Sequence, residues 1–173
     1  NYSFYQISSL TIAKLPDSIE IIGGASFKDT SLTGELNIPK NTVEIYPYAF
    51  DSTNITALKL NNGLKRIGSY AFSDCNALSG TLTLPDTLNY LEDAAFYQCS
   101  NLTGNLTIPA GVTKIGNGVF FNCSGFDGCL TLENGVKETG TLAFASSISK
   151  TPMCFNKLVL PNSLTKIGPY TFQ

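Results

Sequence analysis

The sequence predicts a mainly β solenoid of about seven coils, each 22–28 residues long, with short parallel strands and single helical or 3₁₀ turns. Three observations carry this expectation. A phenylalanine recurs at Phe4, Phe27, Phe50, Phe72, Phe96, Phe120, Phe144 and Phe172, at intervals of 23, 23, 22, 24, 24, 24 and 28 residues. Apolar columns keep the same phase along the whole chain. A Leu-x-Leu pair followed by Pro or Asn-Gly returns once per interval. A coil of about 23 residues is too short to bury its own apolar side, so such coils must stack and bury it against one another.

Each element of the coil follows from one column. The Leu-x-Leu pairs (Leu36 and Ile38, Leu58 and Leu60, Leu82 and Leu84, Leu106 and Ile108, Leu130 and Leu132, Leu158 and Leu160) alternate with period two, as a strand with one buried face does. These strands are expected to form the main sheet. Pro39, Pro85, Pro109 and Pro161, or Asn62-Gly63 and Asn134-Gly135, then end the strand and turn the chain. A second, shorter extended stretch carries Ile22, Ile45, Ile67, Leu91 and Ile115, five residues before each phenylalanine. Gly23, Gly68, Gly116, Gly140 and Gly168 are read as turning the chain once more. The segment through the phenylalanine is read as one helical or 3₁₀ turn, too short to form alone.

Composition excludes several function classes. Eleven Lys and Arg against thirteen Asp and Glu leave a net charge of −2, with no electrostatic footprint for nucleic acid. No apolar run approaches the roughly 20 residues that span a bilayer, so no direct membrane insertion is expected within this chain. Histidine, the commonest general base and metal ligand, is absent. There is no Gly-x-Ser-x-Gly, no phosphate loop and no carboxylate pair at fixed spacing. No catalytic, metal or cofactor-binding residue is expected, and the chain is read as non-enzymatic.

The unit Leu-x-(Leu/Ile)-Pro-x-x-(Leu/Val)-x-x-Ile-Gly-x-x-Ala-Phe-x-x-Cys, nearly complete in 58–75 and 106–123, resembles the BspA-like, Treponema-type leucine-rich repeats. The resemblance covers the chain end to end. It implies a right-handed solenoid on a bacterial or protist cell surface, in a family some of whose members are adhesins for host matrix and plasma proteins. Three departures stand out: 28 residues in the last interval, Thr139 for an expected Ile, and Thr30 and Thr53 for expected Cys. Both ends fall in mid-coil, since 4–11 aligns with 96–103 and Gln173 follows a phase phenylalanine. The simplest reading is a single solenoid, 1–173, cut from a longer extracellular or cell-surface protein.

Candidate sites follow from the same columns. Thr30, Thr53, Cys75, Cys99, Cys123 and Ser147 share the position three residues after the phenylalanine. They are read as a structural ladder of small, weakly polar side chains bonding to the backbone of the neighbouring coil. A disulfide between Cys129 and Cys154 is left open. The outward residues between the paired leucines, Lys14, Asn37, Lys59, Thr83, Thr107 and Thr131, are a candidate binding surface, or equally a solvated sheet face. A second outward column (Ile21, Glu44, Arg66, Tyr90, Lys114, Glu138, Lys166) is expected to form cross-strand ion pairs. Tyr97 and Phe121 follow the phase phenylalanine and are read as outward aromatics, candidates for contact with a partner. Tyr2, Tyr48, Tyr70 and Tyr170 share a column two residues before it, and for both columns packing of ring on ring between coils, with the hydroxyl wet, is the simpler expectation. The extra residues of the last interval are expected to project between 149 and 155, with Cys154 or Phe155 filling the core slot held by Leu78, Leu102 and Phe126. The function expected is recognition of a protein or glycan on a host or neighbouring cell. The alternative is a passive spacer within a larger surface protein.

Overall fold

The apolar columns fall inward and stack. In the computed structural model, which describes residues 1–147 and 152–173, each phase phenylalanine lies on the next one along a single axis. Ring centroids are 5.1 to 5.8 Å apart through all eight rings, with planes tilted by 16° or less. The offset-stacked distance is the one aromatic pairs prefer, and the rings bury a continuous apolar rod. Phe96 and Phe120 are fully buried, 5.5 Å apart and 4° from parallel. The leucine and isoleucine columns complete one core that runs from Ile22 to Phe144, with Leu15 and Leu164 partly buried against it, whereas Leu158, Leu160 and Ile167 of the last coil, expected to face inward, are exposed.

Thirteen short strands are present among the described residues, all paired in parallel: β1 (Ile21–Ile22), β2 (Thr33–Asn37), β3 (Glu44–Ile45), β4 (Asn54–Lys59), β5 (Arg66–Ile67), β6 (Ser79–Gly80), β7 (Tyr90–Leu91), β8 (Asn101–Leu102), β9 (Leu106–Ile108), β10 (Lys114–Ile115), β11 (Cys129–Leu132), β12 (Glu138–Thr139) and β13 (Lys157–Val159). The longest sheet, of six strands in the order β1-β3-β5-β7-β10-β12, lies on the shorter extended stretch and not on the Leu-x-Leu pairs. This corrects the expected placement of the main sheet. The Leu-x-Leu strands form two separate sheets, β2-β4 and β13-β11-β9, and the Leu82–Leu84 segment between them joins neither. The break falls where the interval grows from 22 residues (Leu36 to Leu58) to 24 (Leu58 to Leu82). The six strands of the long sheet enclose five full turns, fewer than the seven phenylalanine intervals, because the outermost coils do not pair there as regular strands. An isolated bridge from Glu138 to Lys166 carries the rank one coil further.

The helical or 3₁₀ turn expected at the phenylalanine is replaced by tandem β-turns. Tyr48, Tyr70 and Ala94, two residues before the ring, have φ of 60°, 58° and 55°. Ser52, Asp74 and Gln98, two residues after it, have φ of 58°, 56° and 61°. Helical residues need φ near −60° throughout, so two left-handed residues four apart forbid a helix. What the chain gains is a second rank of bonds between coils. Phe50, Phe72, Phe96 and Phe120 each donate their N–H to the carbonyl of Ala71, Ala95, Val119 and Ala143 in the next coil, at 2.8 to 2.9 Å.

The glycine column also has a different cause from the one expected. At Gly116 φ is not positive; the constraint is proximity, for a Cβ there would lie 2.5 Å from the carbonyl carbon of Glu92 in the preceding coil. The substitution of Thr139 is answered by another. Its buried hydroxyl sits 3.0 Å from that of Thr171, which stands where four other coils carry Ala49, Ala71, Ala95 and Ala143, and it also accepts the N–H of Gly168 at 3.0 Å. Two departures from the repeat thus satisfy each other's polar atoms, as burial requires.

In the last interval Phe155 stacks on Phe126 at 5.4 Å and fills the expected core slot, while Met153 also packs against the core. Pro152 and Cys154 are exposed. The expected projection of Ser149 and Lys150 lies outside the described residues.

Candidate functional site

The ladder residues line the inner bend of each coil. Thr30 and Thr53 donate their hydroxyls to the carbonyls of Phe27 and Phe50 in their own coils, at 2.8 and 2.9 Å. Cys75, Cys99 and Cys123 reach across instead, to the carbonyls of Phe50, Phe72 and Phe96 of the preceding coil, at 3.3, 3.1 and 3.0 Å. Ser147 closes the column, its N–H bonded to the Asn122 side chain. All five cysteines are free, including Cys129, half-buried, and Cys154, exposed. Burial pushes the Cys75 thiol up to about 12, and Cys99 and Cys123 are raised by burial as well. Only an accessible thiolate reacts. A thiol reagent should therefore label Cys154 in the native protein and reach Cys99 only on unfolding. Rapid native labelling of Cys99 would contradict the buried ladder.

The column between the paired leucines divides into two patches. Lys14, Asn37, Lys59, Thr83 and Thr107 are exposed and Thr131 is half-buried. Asn37 and Lys59 are drawn together by Glu35, whose carboxylate accepts from both at 2.9 and 3.0 Å. The Lys59 hydrogen bond, with that of Asn37 behind it, holds the Glu35 carboxyl below its usual range. Thr107 and Thr131 pair in register on β9 and β11, with Val159 of β13 beside them. Thr83 lies on the strandless segment between the patches.

On the six-stranded sheet the second outward column forms a mixed rank. Arg66 bonds Glu92 at 2.5 Å, lies 3.9 Å from Glu44, and sits over the Tyr90 ring at 5.9 Å. Lys166 lies 3.9 Å from Glu138. These partly exposed pairs are worth about 0.2–1 kcal/mol each.

The remaining edge is aromatic. Tyr48 and Tyr70 stack at 5.0 Å, 2° from parallel, with the Lys28 ammonium 5.3 Å from the Tyr48 ring. Tyr97 and Phe121 are half-buried and stack at 5.4 Å. The two stacks belong to different columns. In the coils of Phe50 and Phe72, tyrosine stands two residues before the ring, and Asp51 or Ser73 one residue after it. In the coils of Phe96 and Phe120 the arrangement is exchanged: Ala94 and Gly118 stand before, Tyr97 and Phe121 after. Where the aromatics cross from one column to the other they leave a hollow of about 350 Å³. Its floor is Ala94 and Gly118, one wall is Tyr97 and Phe121, and Tyr70 and Leu142 close its ends. The other wall is polar. Asp93 accepts the backbone and side-chain N–H groups of Asn117 at 2.7 and 3.2 Å, and Asn117 accepts the N–H of Thr141 at 2.9 Å.

Sequence reasoning reached Tyr97 and Phe121 but missed Asp93, Ala94, Asn117 and Gly118. The available signal was the gap in the tyrosine column, at 94 and 118, opposite the gain of rings at 97 and 121. Among the described residues no group of three or more Cys, Asp or Glu side chains gathers to hold a metal ion.

The fold has counterparts among solved structures. A leucine-rich cell surface protein from Faecalibacterium prausnitzii A2-165 is 26% identical, with a TM-score of 0.73 over 90% of this chain and 40% of that one. A T. pallidum leucine-rich repeat protein, 23% identical, shares the fold at a TM-score of 0.68 over 89% of this chain and 71% of that one. The pneumococcal vaccine antigen PcpA is 25% identical, with a TM-score of 0.52 over 68% of this chain and 32% of that one. This chain thus spans about two fifths of the Faecalibacterium protein it matches. No curated protein matches the sequence. The model of the BspA type leucine-rich repeat region matches in six copies, over residues 1–127 and 101–173. With that match running the length of a solenoid whose phenylalanine, leucine and cysteine columns all keep one phase, the chain belongs to the BspA-type leucine-rich repeat family.

Proposed function

We propose that this chain is a non-enzymatic recognition module displayed outside the cell, where it binds a protein or glycan of a host or neighbouring cell. The observation that carries the reading is the inequality of its faces. One edge holds stacked rings, Tyr48 on Tyr70 and Tyr97 on Phe121, around a hollow, while the face between the paired leucines is threonine, lysine and asparagine. A spacer needs only solvated coils, alike all round. Half-exposed tyrosine offers contact area at low entropy cost, which suits binding surfaces. The likeness to a protein described as a leucine-rich cell surface protein supports placement at the surface.

Fluorescently labelled protein incubated with cultured epithelial cells and with bacterial cells tests this. Saturable binding, displaced by excess unlabelled protein, is expected on at least one cell type. A Thr107→Lys/Thr131→Lys variant and a Tyr97→Ser/Phe121→Ser variant then report which face is used. Absence of saturable binding on every cell type would leave the chain a spacer.

A further inference from the structure

The hollow beside Tyr97 has a shape set by what the repeat omits. In the column two residues before the phase phenylalanine, Tyr48 and Tyr70 lie ring on ring at 5.0 Å. The next two members of that column are Ala94 and Gly118, and the one after is Leu142. The coils keep their stacking there, since Ala94 and Gly118 still donate their N–H groups to the carbonyls of Asn117 and Thr141 at 2.8 Å. So the backbone of the column continues while its rings stop. Tyr70 and Leu142 are three coils apart, roughly 14 Å at the ~4.8 Å spacing of parallel strands. The space between them is one in which a ring standing beyond Tyr70 would continue the tyrosine stack.

The chemistry of the walls selects the ring. Tyr97 and Phe121 supply an apolar side. The facing side is acceptor-rich: the Asp93 carboxylate has no cationic partner among the described residues, and beyond its bonds to Asn117 it keeps lone pairs for further donors. A phenylalanine ring would cover Asp93 without donating to it, which is costly for a carboxylate, and tyrosine or tryptophan brings a single donor at one point of its rim. A sugar ring presents C–H groups on one face and hydroxyl donors around its rim. We propose that this slot is a glycan-binding subsite. It takes one pyranose ring, seated over Ala94 and Gly118 against the end of the tyrosine stack, with a hydroxyl donated to Asp93. This rests on the recognition reading above and narrows it to a carbohydrate ligand at one edge of the rod.

The repeat itself supplies the blocking variant. Ala94 has a φ of 55°, matching the 60° and 58° at which Tyr48 and Tyr70 are accommodated, so Ala94→Tyr restores the ring the column lacks on a backbone that already carries tyrosine. At Gly118 φ is 57°, and a Cβ there would meet nothing nearer than Phe121 Cβ at 3.7 Å, which makes Gly118→Tyr an independent second plug. Amide correlation spectra of the whole chain are recorded with methyl β-D-galactoside, methyl β-D-glucoside and methyl α-D-mannoside at millimolar concentration, and with N-acetyltyrosinamide. The expected result is saturable shifts at Ala94, Tyr97 and Gly118 with at least one glycoside. These should be lost in a plugged variant whose other amides are unmoved, and weakened at least tenfold in Asp93→Ala. Shifts at the slot with N-acetyltyrosinamide and none with any glycoside would overturn the proposal in favour of an aromatic peptide. No shifts with any probe, in a protein that still binds cells, would overturn the subsite and leave the recognition reading standing. If cell binding is absent too, both fall.

Discussion

Replacing Phe96 or Phe120 by alanine should lower stability by about 3–5 kcal/mol, the range for removing a buried aromatic ring. Each ring is fully buried and stacked on both sides, Phe96 between Phe72 and Phe120 and Phe120 between Phe96 and Phe144. The gap therefore interrupts the rod in the middle, with no end at which neighbouring coils can collapse together. The comparison that isolates this effect is Phe172→Ala. Phe172 keeps the same column but touches one ring only and is 41% exposed, so its loss should cost less than half as much. Urea midpoints of the three variants check the ranking. Equal losses at Phe120 and Phe172 would mean that the rings act separately.

The second large effect is expected at Gly135. Its φ is +135°, and an added Cβ would stand 2.2 Å from the carbonyl oxygen of Ala110 and 2.9 Å from its carbonyl carbon, both backbone atoms of the preceding coil. Nothing flexible is available to move aside. Gly135→Ala should combine the strain of a left-handed residue, about 1–2 kcal/mol, with a steric overlap of about 1–3 kcal/mol. Gly34→Ala is the control. Its φ is +78° with nothing within 4 Å of the new methyl, so only the strain should appear. Thermal unfolding of both variants separates the two contributions, and equal losses would show that close approach of the coils contributes nothing at Gly135.

The columns that repeat were legible in the sequence, and the relations between columns were not. Phe4 to Phe172, the paired leucines and the cysteines of 75, 99 and 123 each announce themselves by recurrence, because one buried environment demands one kind of side chain. Which stretch pairs as the longest sheet depends on whether backbone N–H and C=O groups stay in register from coil to coil, and side chains carry little of that. The Leu82–Leu84 segment keeps its apolar pattern and still pairs with neither neighbour. The turns at the phenylalanine were misread for a related reason. Tyr48, Tyr70 and Ala94 are not residues that advertise positive φ; the stack holds them there through bonds to the next coil. The slot was hidden because it is defined by missing rings. Ala94 and Gly118 read as ordinary small residues until the exchange of aromatics with Tyr97 and Phe121 is seen in space.

The bonds between coils also determine how the molecule answers tension. They run from each coil to the next, along the axis of the rod, both at the paired strands and at the phenylalanine segments. A pull delivered through one end of the chain therefore loads first the bonds that hold the coil at that end to its neighbour. That coil peels first, its neighbour becomes the new edge, and the process repeats. Each detached coil of 24 residues pays out a length on the order of 80 Å, from the ~3.3–3.6 Å reach of an extended residue. Under a sustained pull such a chain would lengthen in steps before it breaks, so that a load placed between two points on the rod would be carried through the loss of the first coils.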